Sequence, residues 1–284
     1  MRARRLIFRA MFNSIGLGRR AQEVLGEELR RSKNGSLGLV HRTGDDWLVE
    51  CGDHLIWCSA SDSLISAGLV KHGAWQRADF ELAIATLQEH DRWAGGIFID
   101  VGANIGTQSV YAGLRADISR VIALEPEPKN FDYLCRNIAI NRLEDKAEAH
   151  RLAISDRAGH VHLAVSPKMQ GMHSVCQGKS ANSIAVDACR LDDLLHEKGI
   201  PVTDIALVWI DVEGHELAVF QGMAKILEAR IPVFFEYGRG PMTDSWRALI
   251  EPHYAHAFVV HPNAVEKVGL DTALDMEFGD LLIF

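Results

Sequence analysis

The stretch GGIFIDVGANIGTQSVYAG, residues 95 to 113, constrains this chain more than any other. An apolar run ends near Asp100, turns through Gly102, Ala103, Asn104, Ile105 and Gly106, and continues into a helical pattern. It therefore reads as strand, tight glycine turn and helix. The rhythm recurs downstream. IFIDV (97–101), VIALE (121–125), AHRLAI (149–154), IALVWID (205–211) and PVFFEY (232–237) are short runs, apolar almost throughout, separated by helical stretches. Strands buried on both faces and joined by helices build a largely parallel sheet. Residues 129–141 put Phe131, Leu134, Cys135 and Ile138 on one helical face, and a later helix from about His215 does the same with Leu217, Phe220, Ala224 and Leu227. Both are expected to cover the sheet.

AHAFVV and DLLIF add two more strands near the end of the chain. HVHLAV and NSIAVDAC read as an extra strand pair around the small, polar SPKMQGMHSVCQGKSA, a loop candidate that carries His173. Ahead of Gly95 the pattern differs. DWLVECGDHLIWCS reads as a hairpin turning at Gly52 and Asp53, and LVKHGAWQRADFELAIATLQEH as a helix behind Trp75 with Ala78, Leu82, Ala85 and Thr86 at helical spacing. Residues 1–94 are thus expected to form a cap of basic helix, hairpin and lead-in helix, and 95–284 the main domain.

Composition narrows the function classes. With 48% hydrophobic and 24% charged residues among 284, the chain has the make-up of a protein with a sizeable core. A formal net charge of −8 argues against nucleic acid as a partner. The five cysteines are odd in number, scattered and without CxxC spacing, which points to a reducing cytoplasm and away from disulfides or a zinc knuckle. No apolar run approaches the roughly 20 residues of a membrane span. The start, MRARRLIFRAMFNSIGLGRR, has six arginines and no acid. It suits either an anionic membrane surface or a packed helix, and Arg4, which interrupts the apolar face, favours the second.

Three ligands compete for the glycine turn. A triphosphate needs GK[ST] after the last glycine, but Gly106 is followed by Thr107 and Gln108. A dinucleotide needs GxGxxG, but Gly102, Ala103, Asn104, Ile105, Gly106 has a side chain at the middle position, where backbone must approach a pyrophosphate, and Asp100 would repel it. S-adenosylmethionine carries an ammonium group that Asp100 suits. Glu125, before Pro126, can accept from both hydroxyls of a ribose. Asp100, Gly102, Glu125 and Asp211 are expected to share one crevice beyond the carboxyl ends of the strands. A purely structural role for the glycines, with Glu125 capping the next helix, stays open.

FIDVGANIGTQSVYAG, VIALEPEPKNFDYLCRNIAIN, LDDLL, WIDVEGHELAVFQGM and PVFFEYG together resemble the FkbM-type S-adenosylmethionine-dependent methyltransferases over roughly residues 68 to 284. The resemblance implies a Rossmann-like class I methyltransferase fold: a seven-stranded, mostly parallel sheet with one reversed strand and helices on both faces. It also implies S-adenosylmethionine as donor and, as acceptor, a hydroxyl on a sugar, glycan or secondary metabolite. Carried over by position, Asp100, Gly102, Asn104 and Gly106 would enclose the methionyl end, Glu125 with Pro126 the ribose, and Ala153 to Ser155 the adenine. Where members often carry a lysine, this chain has VWID, and Cys189, Arg190, Leu191 where a threonine often precedes the leucine.

A base assists an alcohol acceptor. Candidates at strand ends are Asp211, which also borders the cofactor, Glu213, His215 and Glu236, with His173 arriving from the loop. A divalent ion on Asp211 and Glu236 is open but not favoured, since no third ligand is identifiable. Against methyl transfer stand an inactive binding protein of the same fold and an NAD-dependent oxidoreductase.

Overall fold

A computed structural model describes residues 39–62, 64–164, 174–176, 183–238, 243–261 and 264–284. The arginine-rich start, His173 and most of the loop around it lie outside the described residues.

The chain opens with a meander, β1 (Leu39–Thr43), β2 (Asp46–Glu50) and β3 (Leu55–Ser59). β2 and β3 are joined at Gly52 and Asp53 as expected, with Gly52 at φ 80°. Helices α1 (Ile65–His72) and α2 (Arg77–Glu89) follow. The face of α2 differs from expectation: Ala78 and Ala85 are exposed, and Phe80, Ala83, Ile84, Thr86 and Leu87 are buried. The bulkier apolar set, one position round the helix, is the one that packs.

Next come β4 (Gly96–Val101), α3 (Thr107–Leu114), β5 (Ile118–Leu124), α4 (Pro128–Ile140), β6 (Ala147–His150), β7 (Ala153–Ile154), β8 (Gly159–Ala164), β9 (Ser174–Cys176), β10 (Ser183–Cys189) and α5 (Leu191–Glu197). The run ends with β11 (Ile205–Ile210), α6 (Glu216–Gln221), α7 (Ala224–Glu228), β12 (Val233–Gly238), α8 (Thr243–Ile250), β13 (His256–His261), β14 (Ala264–Gly269), α9 (Leu270–Leu274) and β15 (Phe278–Ile283).

The main sheet has the order β14-β13-β15-β12-β11-β4-β5-β6, eight strands rather than seven. The extra strand is β14, which folds back antiparallel on β13 at the edge. Its sequence AVEKVG has no fully buried position and sets two charges between its valines, as an edge strand can, so no apolar run announces it. β6, β5, β4, β11 and β12 are mutually parallel, and β15 runs antiparallel to both β12 and β13. The chain builds outward from β4 to β6 and then crosses back to place β11 on the other side of β4. That reversal opens a crevice at the carboxyl ends of β4 and β11.

AHRLAI proves to be two strands: β6 stays in the main sheet, while β7 pairs with β10 in a side sheet of order β7-β10-β8-β9. The late helix is likewise split into α6 and α7. A Cβ at Gly222 would sit 2.1 Å from the Ser155 carbonyl oxygen, so the break lets two backbones touch. Leu217 is only partly buried and Ala224 exposed, while Val219, Phe220, Ile226 and Leu227 pack inward.

On α4, Cys135 is exposed and Phe131 half-buried, but Asn137 is fully buried. Its amide accepts from Trp57 N at 2.6 Å and donates to Trp57 O at 2.9 Å and Ile105 O at 2.7 Å. Asn141 does the same for Leu55, with 3.0 Å and 2.7 Å bonds. Two side chains thus stand in for a fourth strand along β3. That satisfies an edge that burial would otherwise leave costly. Val49, Ile56, Leu69 and Phe80 share one apolar core with Phe98, Val121, Trp209 and Phe234, so the segment ahead of β4 packs into a face of the sheet.

Candidate active site

The glycine turn draws two strand ends together. Gly102 has φ +85°, and a Cβ there would lie 1.9 Å from the Asp211 carbonyl oxygen. Only glycine permits that approach. Gly102 N and Ala103 N each donate to Leu124 O at 3.0 Å, and Asp211 N donates to Val101 O at 3.0 Å, which locks the ends of β4, β5 and β11 in register. Gly106, at φ +88°, starts α3 where a Cβ would press on Leu134.

Four carboxylates converge beyond these ends. Glu125, 5% exposed, accepts at Oε2 from Asn104 N and at Oε1 from Glu127 N, both at 2.8 Å. Burial still pushes its pKa up to about 8. Asp100, 1% exposed, accepts from Ser109 Oγ at 2.5 Å. Burial, reinforced by the Asp211 charge, raises it to about 7. Asp211 rises to about 6 through burial and the Glu216 charge, and a hydrogen bond from the Gln76 side chain pulls it back. Glu236 rises to about 8 through burial and then the charges of Asp211, Glu213, Glu216 and Asp280.

The neighbours play different parts. Glu213, with a left-handed backbone at φ 51°, is pushed to about 7 by burial and by Asp211. Glu216 accepts from Val212 N at 3.2 Å and Gly214 N at 3.1 Å, tying down the start of α6. His215 sets its Nε2 2.9 Å from Ser155 Oγ, and burial lowers its pKa, so the ring is neutral at neutral pH.

A cavity of about 190 Å³ unites the site. Of the residues read from the sequence, Asp100, Gly102, Asn104, Glu125, Pro126, Ala153, Asp211, Glu213, His215 and Glu236 border it, whereas Gly106 and Ser155 do not. Trp75, Gln76, Thr107, Gln108 and Leu163 also border it, and none of them was read from the sequence as a site residue. Gln76 had no signal: a lone amide before a helix has no periodicity or spacing to mark it. Among the described residues, no three His, Cys, Asp or Glu side chains are placed to hold a metal ion, and no helix is long and apolar enough to cross a membrane.

Residues 100–260 match the family model described as the Methyltransferase FkbM domain. The chain belongs to this family. The hexuronic acid methyltransferase AglP of Haloferax volcanii is 32% identical over 131 residues, covering 46% of this chain and 51% of that protein. The 31-O-demethyl-FK506 methyltransferase FkbM of Streptomyces tacrolimicus is 28% identical over 159 residues, covering 45% of this chain and 60% of that one. The chain therefore spans about half to three fifths of the length of these curated relatives. Among solved structures, a methyltransferase FkbM from Methylobacillus flagellatus aligns over 67% of this chain and 44% of its own, at 16% identity and a TM-score of 0.43. In this FkbM-family chain the matched segment begins at Asp100, so Trp75 and Gln76 enter the site from ahead of it.

Proposed function

We propose that this chain transfers a methyl group from S-adenosylmethionine to a hydroxyl of a sugar, glycan or secondary metabolite. The observation that carries the reading is one cavity, inside an FkbM-family domain, that joins the doubly hydrogen-bonded Glu125 to Asp100 and Asp211. Once ionised, Glu125 keeps a lone pair on each oxygen for the two ribose hydroxyls, because its backbone donors occupy one site on each, and those hydrogen bonds favour the ionised form against burial. Leu152, Ala153, Ile154 and Leu163 offer an apolar wall for the adenine. Asp100, raised by burial, is stabilised by a cation, and the methionyl ammonium is one. The residues thus fit the cofactor, which when bound supplies a methyl group on a positively charged sulfur.

The chain's own work is to hold the acceptor in line and take its proton. With pKa values of about 6 and about 8, Asp211 is mainly ionised and Glu236 mainly protonated at neutral pH. Two carboxyl groups pushed apart in this way divide the labour. An Asp211 carboxylate oxygen would accept the hydroxyl proton when the methyl leaves the sulfur for the acceptor oxygen, and Glu236 would donate a hydrogen bond that orients a neighbouring hydroxyl of the acceptor. The names of the relatives, one acting on a hexuronic acid and one on an O-demethylated compound, support an oxygen-bearing acceptor.

Calorimetry with S-adenosylmethionine, its demethylated product and NAD tests the cofactor: the first two are expected to bind and NAD not. Label transfer from isotopic S-adenosylmethionine into small molecules and glycans of the host, read by mass, then tests the reaction. Binding without transfer would favour a binding protein, and NAD binding alone an oxidoreductase.

A further inference from the structure

Gln76 precedes α2 in a left-handed backbone, φ 51°, which a residue with a side chain rarely adopts. Such strain persists where the surroundings over-determine it, and here they do. Tyr111, buried on α3, accepts at its hydroxyl from Trp75 N and donates to Trp75 O, both at 3.1 Å. The Arg77 guanidinium lies 5.3 Å from the Tyr111 ring centre and forks onto Asp53 with 2.7 and 2.9 Å bonds. The meander, α2 and α3 thus clamp both sides of the corner.

The side chain is directed as firmly. Thr107 Oγ1 donates to Gln108 Oε1 at 2.5 Å, which leaves Gln108 Nε2 to donate to Gln76 Oε1 at 2.6 Å. With its oxygen so engaged, the Gln76 amide turns its nitrogen to the cavity that Asp211 also borders, as the lowering influence of Gln76 on that acid requires. Thr107 and Gln108 are buried, so the relay is shielded from water. Among the described residues, every charge facing Asp211 is acidic: Asp100 from β4, Glu213 and Glu216 from the segment after β11, Glu236 from β12 and Asp280 from β15. Gln76 is the influence that works against them.

We propose that Gln76 is a positioning residue, presented by a strained corner ahead of the family domain so that its amide meets the Asp211 carboxylate and holds it aimed into the cleft. Its bearing on methyl transfer rests on the function proposed above, but the contact with Asp211 can be tested without it. Gln76→Gly is the informative variant, because glycine adopts this backbone without strain and loses only the amide. Its melting temperature is expected to hold or rise. In protein labelled with ¹³C at aspartate carboxyls, with Asp211→Asn for assignment, Asp211 is expected to titrate about one pH unit higher in Gln76→Gly than in the parent. The acid limb of kcat/KM should move with it, and Gln76→Glu should push it further by adding a sixth neighbouring acid. Gln76→Asn, tolerated in the same backbone but too short to complete the relay, gives a second reading with the same expected direction. An unmoved Asp211 titration in folded Gln76→Gly or Gln76→Asn would overturn the proposal. A moved titration in a chain that transfers no methyl group would uphold the contact and sink the proposed reaction.

Discussion

The two halves of the cleft treat their carboxylates differently. Beyond β4 and β5, Asp100 is met by the Ser109 hydroxyl and Glu125 by two backbone N–H groups, so hydrogen bonds offset part of the cost of burial. Beyond β11, β12 and β15, the influences on Glu213, Glu236 and Asp280 all raise the pKa, burial first and neighbouring acids after it. Asp211 stands between, with one amide on its side. The first half is preorganised for a ligand that accepts fixed geometry. The second holds like charges in a poorly solvated place until protons or a cation relieve them. That is a reasonable division between a cofactor site and a site where a proton moves.

The largest expected effect follows from that division. Asp211→Asn keeps the shape, and the Gln76 amide can still be accommodated by the Asn oxygen, but the proton acceptor is gone. Turnover should fall about 10²- to 10³-fold with cofactor affinity nearly unchanged. If calorimetry instead shows affinity lost and kcat kept, Asp211 belongs to the cofactor half. Next comes Glu125→Ala, which removes the acceptor for two hydroxyls and should weaken S-adenosylmethionine binding by about 10²-fold. Because Glu125 also satisfies Asn104 N and Glu127 N, Glu125→Gln is the control: its remaining oxygen keeps one of these bonds, and a smaller loss is expected.

These two acids were legible in the sequence for the same reason that they border the crevice. Parallel strands read as apolar runs, and an acid where such a run stops falls at the carboxyl end, where the crevice opens. Glu236 was visible in PVFFEY on the same ground. What the sequence did not disclose depends on contacts between distant segments. Gln76 matters only because Tyr111, 35 positions further on in the turn-helix unit, clamps the corner beside it. Asn137 is buried because it serves an edge 80 residues earlier, so its polarity misdirects a face assignment. β7 leaves the main sheet because β10, far along the chain, offers it a partner.

A smaller effect tests the second half through stability. The raised acids keep their protons in the folded chain to about 7 or 8, whereas unfolded carboxylates lose them near 4. Between those values unfolding releases protons, so stability falls as pH rises. His54, His150 and His215 have lowered pKa values and act in the opposite sense below about 6.5, where unfolding takes up protons. The window from about 6.5 to 8 therefore isolates the acids. Scanning calorimetry of the ligand-free chain should show the melting temperature falling across it. Glu236→Gln should raise the melting temperature at pH 8 by roughly 2 °C, a modest figure because the carboxyl is only half-buried and partly screened. A flat profile in both proteins would mean that these acids do not strain one another.

The smallest effect is expected at His215, and it decides where the boundary between the halves falls. Its ring is bonded to Ser155 Oγ, next to the end of β7, and Ser155 in turn donates to Asp156 Oδ1 at 3.1 Å. The imidazole thereby ties the start of α6 to the wall assigned to adenine, and its lowered pKa leaves it a weak base. His215→Ala should then raise the KM for S-adenosylmethionine about threefold, the loss of one neutral hydrogen bond, with kcat little changed. Steady-state kinetics at pH 7 reads the two constants separately. A general base at this position would instead show kcat falling by two orders of magnitude at constant KM. That result would move proton transfer from the crowded acids to the adenine side, and the raised pKa values beyond β11 and β12 would then need a different cause in function.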